Sequence, residues 1–419
     1  PSRHRPKRTI PEDDMNVLVI NSGSSSIKYQ LLDMDSGKPL VTGSVERIGE
    51  QDSEIKQKNR PGSDREKVVE KSGRIADHEQ GMNMAVDLIT DPKEGVVSDK
   101  SEIHAIGHRV VHGGERFFEP TLIDDDVIKG IEANVPLAPL HNPGHLDGIR
   151  TTRELFPDAP QVAVFDTAFH QTMPPKAYHY ALPYDLYEDL GVRRYGFHGT
   201  SHKYVARKAS ELLCKSQDTC NLITVHMGNG ASITEIRGGK SVDTSMGMTP
   251  LGGIVMGTRS GNIDPAIIRY LHDRKGMSID EIDRMLTKES GLKGICGSND
   301  MRDIHKRIAE GDERARLALD ISVHRTRQYM GAYFWDLVDV DAIVFTAGIG
   351  ENDPDFRAMC CRGLEPLGII PDEKRNSEWN GESAFISADH SPVKILVIPT
   401  NEEFEIARET AEVVEGLGG

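Results

Sequence analysis

The chain's apolar residues fall into short runs and alternations, and those patterns predict its elements. VLVINSGSSSIKYQLLD at 17–33 has an apolar run, a turn of small polar residues and an alternating run, which predicts a β-hairpin. The pattern returns at 222–239 as LITVHMGNGASITEIRGG, bringing Gly228 loosely into line with Gly23, so a duplicated architecture is expected. Between them, 49–102 is polar and charged, predicting surface hairpins and a helix near 77–89, and IHAIGHRVVHGG at 103–114 returns to strand character. Asp124 is expected to cap a helix reaching Asn134, VAVF at 162–165 reads as a buried strand, and Thr200 or Ser201 is expected to cap the helix after FHG. Further on, Asp264 with Pro265 marks a helix start, SIDE at 278–281 is a capping box, and 313–338 predicts a long buried helix. AIVFTA at 342–347 and KILVIP at 394–399 are strands, and the last helix sets Phe404, Ala407, Val414 and Leu417 on one apolar face. Strands alternating with helices indicate an α/β protein.

At 419 residues the chain exceeds what one core usually organises, so two domains are expected, with a cleft between them as the site. No stretch approaches the ~20 apolar residues of a membrane span, and the first fourteen residues, PSRHRPKRTIPEDD, have no apolar centre like a secretory signal. They read as an extension before Met15 without assigned function, and the protein as cytoplasmic. The five cysteines, Cys214, Cys220, Cys296, Cys360 and Cys361, lack paired metal-ligand spacing and fit a reducing compartment. A formal charge of −16 argues against nucleic-acid and anionic-membrane partners, so an anionic substrate must meet locally concentrated arginines.

The small residues Asn21 to Ser26, with Lys28 just beyond, allow a polyphosphate to approach backbone amides and hydroxyls, and HMGNG at 226–230 has the same property. Either alone is an ordinary hairpin turn; their recurrence in matching contexts favours paired phosphate loops. Other nucleotide signatures fail. The Gly-Lys-Ser at 239–241 has Thr234 where the first P-loop glycine belongs, and GIGEND at 348–353 resembles a dinucleotide fingerprint but ends in Asp353 followed by Pro354.

NSGSSSIK at 21–28, GHRVVHGG at 107–114, FDTAFH at 165–170, RYGFHGTSH at 194–202, HMGNG at 226–230, MGTRSGNIDP at 256–265, FTAGIGEN at 345–352 and PTNEE at 399–403 resemble, in order, the motifs of the acetate kinase family. The resemblance runs from about Met15 to the C-terminus. It implies a duplicated actin-like (ribonuclease H-like) ATPase fold in two domains, each built on a five-stranded βββαβαβα-type core. The first domain would comprise 15–168 with 401–419, the second 169–400. Departures are small: Met301 and Asn262 stand where relatives often carry other residues.

The resemblance also implies the chemistry: reversible transfer of the γ-phosphoryl group of ATP to acetate, giving acetyl phosphate and ADP. Arg109 would hold the acetate carboxylate and Arg259 the transferring group, with His198 hydrogen-bonded to it and His141 nearby. Asp166 follows its strand directly. Because carboxyl groups titrate near ~4, acetate needs no base to become a nucleophile, and Asp166 is expected to organise magnesium and the arginines. Mg2+, with Mn2+ as an alternative, would be held by Asn21 and Glu402 beside the phosphates. Lys28 and His226, Met227, Gly228, Asn229 and Gly230 would meet the phosphates. Asp300, Met301 and Arg302 with Gly348, Ile349, Gly350, Glu351 and Asn352 would receive adenosine. Val111, Leu140, Phe197 and Pro250 would face the acetate methyl, with Val111 favouring acetate over propionate. The family usually forms homodimers. A non-catalytic actin-like ATPase is the main rival reading. A metallohydrolase, prompted by the four-residue spacing of His104, His108 and His112 and of His141 and His145, lacks H-E-x-x-H, and Pro143 with Gly144 disrupts helical presentation.

Overall fold

The computed structural model describes residues 15–139 and 141–417, so Leu140 lies outside the described residues, as do the first fourteen. The chain divides into two compact units, one ending at Ala168 and resumed from Asn401, the other spanning Phe169–Thr400.

The first unit holds eight strands: β1 (Asn16–Ser22), β2 (Ile27–Asp33), β3 (Lys38–Glu46), β4 (Glu54–Asn59), β5 (Lys67–Ser72), β6 (Ala105–Val110), β7 (Thr121–Leu122) and β8 (Gln161–Phe165). Their order is β5-β4-β3-β2-β1-β6-β8-β7. Strands β1 to β5 form an antiparallel meander, β6 lies parallel to both β1 and β8, and β7 closes the edge antiparallel. Leu18 and Ile20 of β1 pack with Met82, Ala85 and Val86 of helix His78–Ile89, while Val17 and Val19 point the other way, against Ile406, Ala407 and Val414 of helix Glu402–Gly416. A strand covered on both faces reads as a continuous apolar run, which is what VLVI is.

The second unit holds β9 (Leu222–Met227), β10 (Ala231–Arg237), β11 (Lys240–Thr244), β12 (Ala342–Thr346), β13 (Ala384–Phe385) and β14 (Lys394–Val397), ordered β11-β10-β9-β12-β14-β13. Again a three-strand antiparallel run continues through two strands parallel to its first member. The series β3-β2-β1-β6-β8 and β11-β10-β9-β12-β14 are therefore the same five-strand core, with β4, β5, β7 and β13 added at the edges. Both expected hairpins are present, and their turns close through Gly23 N–H to Ser26 O at 2.7 Å and Gly228 N–H to Gly230 O at 2.9 Å.

The Asp124 cap and the Ser278–Glu281 capping box form as the pattern predicts. Three expectations are corrected. Helix Gly199–Leu212 is preceded by His198, so Thr200 and Ser201 lie inside it and neither caps it. Helix Glu313–Leu337 buries only one stripe, and Trp335 is 85% exposed, because its arginines and other polar residues recur on the opposite face. In the last helix the buried stripe runs Ile406, Ala407, Thr410, Ala411 and Val414, leaving Leu417 half exposed past its end.

Close approach also decides two sheet positions. The Tyr29 ring crosses β3 to donate its hydroxyl to Gln57 Oε1 at 2.7 Å, and a Cβ at Gly43 would stand 2.3 Å from that ring. At Gly107 a Cβ would meet Thr410 Oγ1 at 2.4 Å, so only glycine lets the last helix lie on β6. Gly43→Ala should therefore cost about 1–3 kcal/mol through overpacking, measured by urea denaturation. An unchanged midpoint would show that the ring has room to move.

Candidate active site

In the first unit, parallel pairing places the carboxyl ends of β6 and β8 side by side. Arg109 stands across from Val164, and the Asp166 amide, one residue past β8, donates to Val110 O at 2.9 Å. The Asp166 carboxylate then takes two hydrogen bonds from Arg109, from Nε at 3.1 Å and from Nη2 at 2.6 Å. Such a fork fixes the plane of the guanidinium as well as its position. Burial opposes the charge on Arg109, but Asp166 and Glu402 outweigh it and hold the group more firmly protonated than usual.

Glu402 is the first residue of the last helix, whose N-terminus is capped by Asn401 Oδ1 accepting from Phe404 N–H at 3.0 Å. Its carboxylate lies 3.8 Å from Arg109 Nε. Burial foremost, then Asp166 and Glu403, push its pKa up to about 7 against the pull of Arg109 and Lys28. One guanidinium thus faces more carboxylate charge than it neutralises. Lys28 is exposed on β2, in register with Asn21 of β1, and Val111 is buried just past β6. His141 precedes helix Asn142–Leu155. The helix comes down on the Asn21–Ser26 turn so closely that a Cβ at Gly144 would stand 2.8 Å from Gly23 O. His145, one turn after His141, is buried. Burial first, then Arg109, His141 and His108, push its pKa down to about 3.

In the second unit, the β9–β10 turn carries His226 to Gly230. The His198 and His226 rings stack with centroids 4.1 Å apart, and Ser201 Oγ lies 2.8 Å from His226 Nδ1 and 2.8 Å from Thr400 Oγ1. A Cβ on Gly230 would stand 3.1 Å from His198 Nε2 and 3.7 Å from Arg259 Nη1, so these two groups converge on the turn. Arg259 Nη1 donates to the Pro250 carbonyl at 3.2 Å. No carboxylate among the described residues pairs with Arg259, and burial alone lowers its pKa. A desolvated cation without an anion is costly, and a bound anion would relieve that cost.

The remaining predicted residues sit on two helix starts. Asp300 caps helix Met301–Ala309 and grips Arg302 through both oxygens, which holds its carboxyl down to about 2, while Met301 is buried beneath. Gly348 to Asn352 are helical, within Ala347–Asn352, and not a dinucleotide loop. The Glu351 carboxylate is taken up by the amides of Ala347 at 2.8 Å and Thr400 at 3.0 Å. Asn229 Oδ1 accepts from Asn299 Nδ2 at 3.0 Å, tying the turn to the segment before Asp300. Phe197 is buried, its carbonyl 3.0 Å from His170 Nε2.

Sequence reasoning missed Ser201, Ser232, His202 and Arg357. The guanidinium of Arg357 is buried and donates to the carbonyls of Gly350 and Glu351, bracing the short helix. RYGFHGTSH carried a signal for His202, a second histidine four residues after His198 and so on the same helical face.

A glycine turn at the head of each duplicated βββαβ core, with a partly buried arginine that has no carboxylate partner among the described residues, is an arrangement suited to an anionic ligand. The chain belongs to the acetokinase family, whose model matches residues 16–408. It is 58% identical over 400 residues to an acetate kinase of Maridesulfovibrio salexigens, covering 96% of this chain and 100% of the relative. It is 56% identical over 403 residues to one of Desulfotalea psychrophila, at 96% and 100% coverage. A crystal structure of Porphyromonas gingivalis acetate kinase superposes with a TM-score of 0.91 at 43% identity, covering 96% of this chain and 100% of that one. A Francisella tularensis propionate kinase gives 0.88 at 44%, covering 95% and 99%. The fold is the duplicated actin-like ATPase fold of these kinases.

A testable consequence concerns Glu402. Its folded pKa is raised, so the folded chain binds that proton more tightly than the unfolded chain, and the group's contribution becomes less favourable as pH climbs from 4.5 to about 7. Glu402→Gln should therefore be more stable than the parent at pH 8, on the order of 1–3 kcal/mol, with the gain shrinking toward pH 4.5. Denaturation at both pH values checks this, and a gain of equal size at both would contradict the cause given.

Proposed function

We propose that the protein is an ATP:acetate phosphotransferase that interconverts ATP and acetate with ADP and acetyl phosphate. The observation that carries this reading is Arg259, a partly buried cation with no carboxylate partner among the described residues, whose terminal nitrogen lies with His198 Nε2 against the Gly230 turn. Arg259 and His198 take the oxygens of the transferring phosphoryl, and the Asn229–Gly230 end of the turn holds the phosphates behind it. Arg109, its plane set by Asp166, takes the acetate carboxylate, with Val111 buried just past the same strand. Asp166 touches no substrate proton in this scheme; it orients Arg109.

Divalent metal fits the carboxylates present. Among the described residues there is no cluster of three or more histidine, cysteine or carboxylate ligands. The partly neutralised Glu402 beside Asp166 offers the oxygen ligands and excess negative charge that Mg2+ takes together with phosphate oxygens and water. With Asn21, Glu402 would hold the ion, which shields phosphate charge. Mn2+ would suit the same oxygen donors. We take transfer to be direct and in line, with inversion at phosphorus. We also take the protein to act in the cytoplasm as a homodimer, independently of nucleic acid and membranes; no described helix is long and apolar enough to cross a membrane.

Acetyl phosphate formation from acetate and MgATP, trapped with hydroxylamine, tests the reading, and ATP turnover that is indifferent to acetate would leave only an actin-like ATPase. A parallel assay with propionate should give a lower kcat/KM, since one methylene shifts binding by ~1–3 kcal/mol in an apolar pocket. Arg109→Ala should raise the acetate KM by roughly 10–100-fold, as expected for a lost charge-assisted pair. Arg259→Ala should instead lower kcat by about 100–1,000-fold with a smaller change in acetate KM. Equal effects of the two changes on both constants would refute the division of roles. Glu402→Ala should shift the magnesium titration to higher concentration.

A further inference from the structure

The Ser232 hydroxyl lies between two imidazoles, 2.9 Å from His198 Nδ1 and 2.7 Å from His202 Nε2. The other ring nitrogen of His202 lies 2.7 Å from Thr224 Oγ1. Strands β9 and β10 supply Thr224 and Ser232, and helix Gly199–Leu212 supplies His202 one turn after His198. All three supporting side chains are buried.

The direction of the protons along this chain follows from its far end. The Thr224 hydroxyl has one proton and two acceptors in reach, His202 Nδ1 at 2.7 Å and the Thr234 carbonyl at 3.5 Å. A contact of 3.5 Å is at the limit of a hydrogen bond, so the proton goes to the imidazole nitrogen. Burial, then His170 and His226, hold the pKa of His202 well below that of free imidazole, so the ring is neutral and has a single N–H. With Nδ1 accepting, that N–H is at Nε2 and donates to Ser232 Oγ. The Ser232 proton is then left for His198 Nδ1. A neutral His198 consequently carries its own proton on Nε2, the atom facing the Gly230 turn and Arg259.

We propose that Thr224, His202 and Ser232 are positioning residues that lock His198 in its Nε2–H tautomer, so that the uncharged ring donates a hydrogen bond to an oxyanion held beside Gly230 and Arg259. The identity of that oxyanion as a transferring phosphoryl group rests on the function proposed above; the tautomer does not. An Nε2 lone pair would repel a phosphoryl oxygen, and a protonated ring would set a second cation beside Arg259. A preorganised neutral donor avoids both. The backbone agrees that His198 is held: its φ is 58°, in the left-handed region that a non-glycine residue keeps only when its surroundings hold it there.

The test is the nitrogen-15 signature of His198 in the full-length protein at pH 8, read by long-range proton–nitrogen correlation and assigned by its disappearance in His198→Gln. The expected result is a proton on Nε2; a proton on Nδ1, or an even mixture, overturns the proposal in the unmodified protein without recourse to any variant. Ser232→Ala should then mix the tautomers and lower kcat about tenfold, with the MgATP KM changed less than about twofold. His202→Gln, which still offers an amide N–H to Ser232, should keep the Nε2–H signature, whereas His202→Leu should lose it. A Ser232→Ala protein with the tautomer and kcat of the parent would show that the chain sets nothing. Because the signature is read without substrate, a chain inactive on acetate would overturn the kinase reading and leave the tautomer result standing.

Discussion

The parallel pairing of β6 with both β1 and β8 is the constraint on which the Arg109 cluster of the first unit depends. Parallel strands end together, so whatever follows them is delivered at one edge of the sheet. Here that edge receives the Asn21–Ser26 turn from β1, Arg109 from β6 and Asp166 from β8. The bidentate contact between Arg109 and Asp166 follows from that register, and a one-residue slip of either strand would turn its side chain to the opposite face, away from the other. Gly107 on β6 leaves room for the last helix to lie against the strand, which brings Glu402 to the arginine.

The same arrangement recurs in the second unit with different chemistry at the edge. Strands β9, β12 and β14 run parallel, β9 ends in the His226–Gly230 turn, and β12 leads directly into the short helix that Arg357 braces. In the first unit a cation is fully matched by carboxylates, to the point that Glu402 is partly neutralised; in the second, Arg259 is partly buried and has no carboxylate partner among the described residues. Under the proposed function, the matched arginine is the one to recognise a small planar carboxylate, and the unmatched one the transferring anion.

Much of this was legible before the fold was known. The two hairpins, the Asp124 cap, the Ser278–Glu281 box and the strands at 162–165, 342–347 and 394–399 depend on local period and capping chemistry, which act over a few residues. The errors have equally local causes. Thr200 and Ser201 have the right chemistry for a cap, but the turn before them places His198 at the boundary and draws Ser201 inward to His226 and Thr400. The helix at 313–338 is apolar enough in composition to look buried throughout, yet only the spacing of its small and large residues reveals the single stripe that is covered.

The chain alone determined which residue types were available and in what local geometry: two phosphate-ready turns, an arginine and an aspartate each near the end of its strand, and histidines spaced one helical turn apart. Those properties are set by neighbours in sequence, so they survive without the fold. Only the tertiary structure decided that Asp166 reaches Arg109 across 57 residues, that Ser232 joins His198 to His202, and that Arg259 has no carboxylate partner among the described residues. These depend on strand register and on how many charges are withdrawn from water together, and neither quantity exists until the sheets have formed.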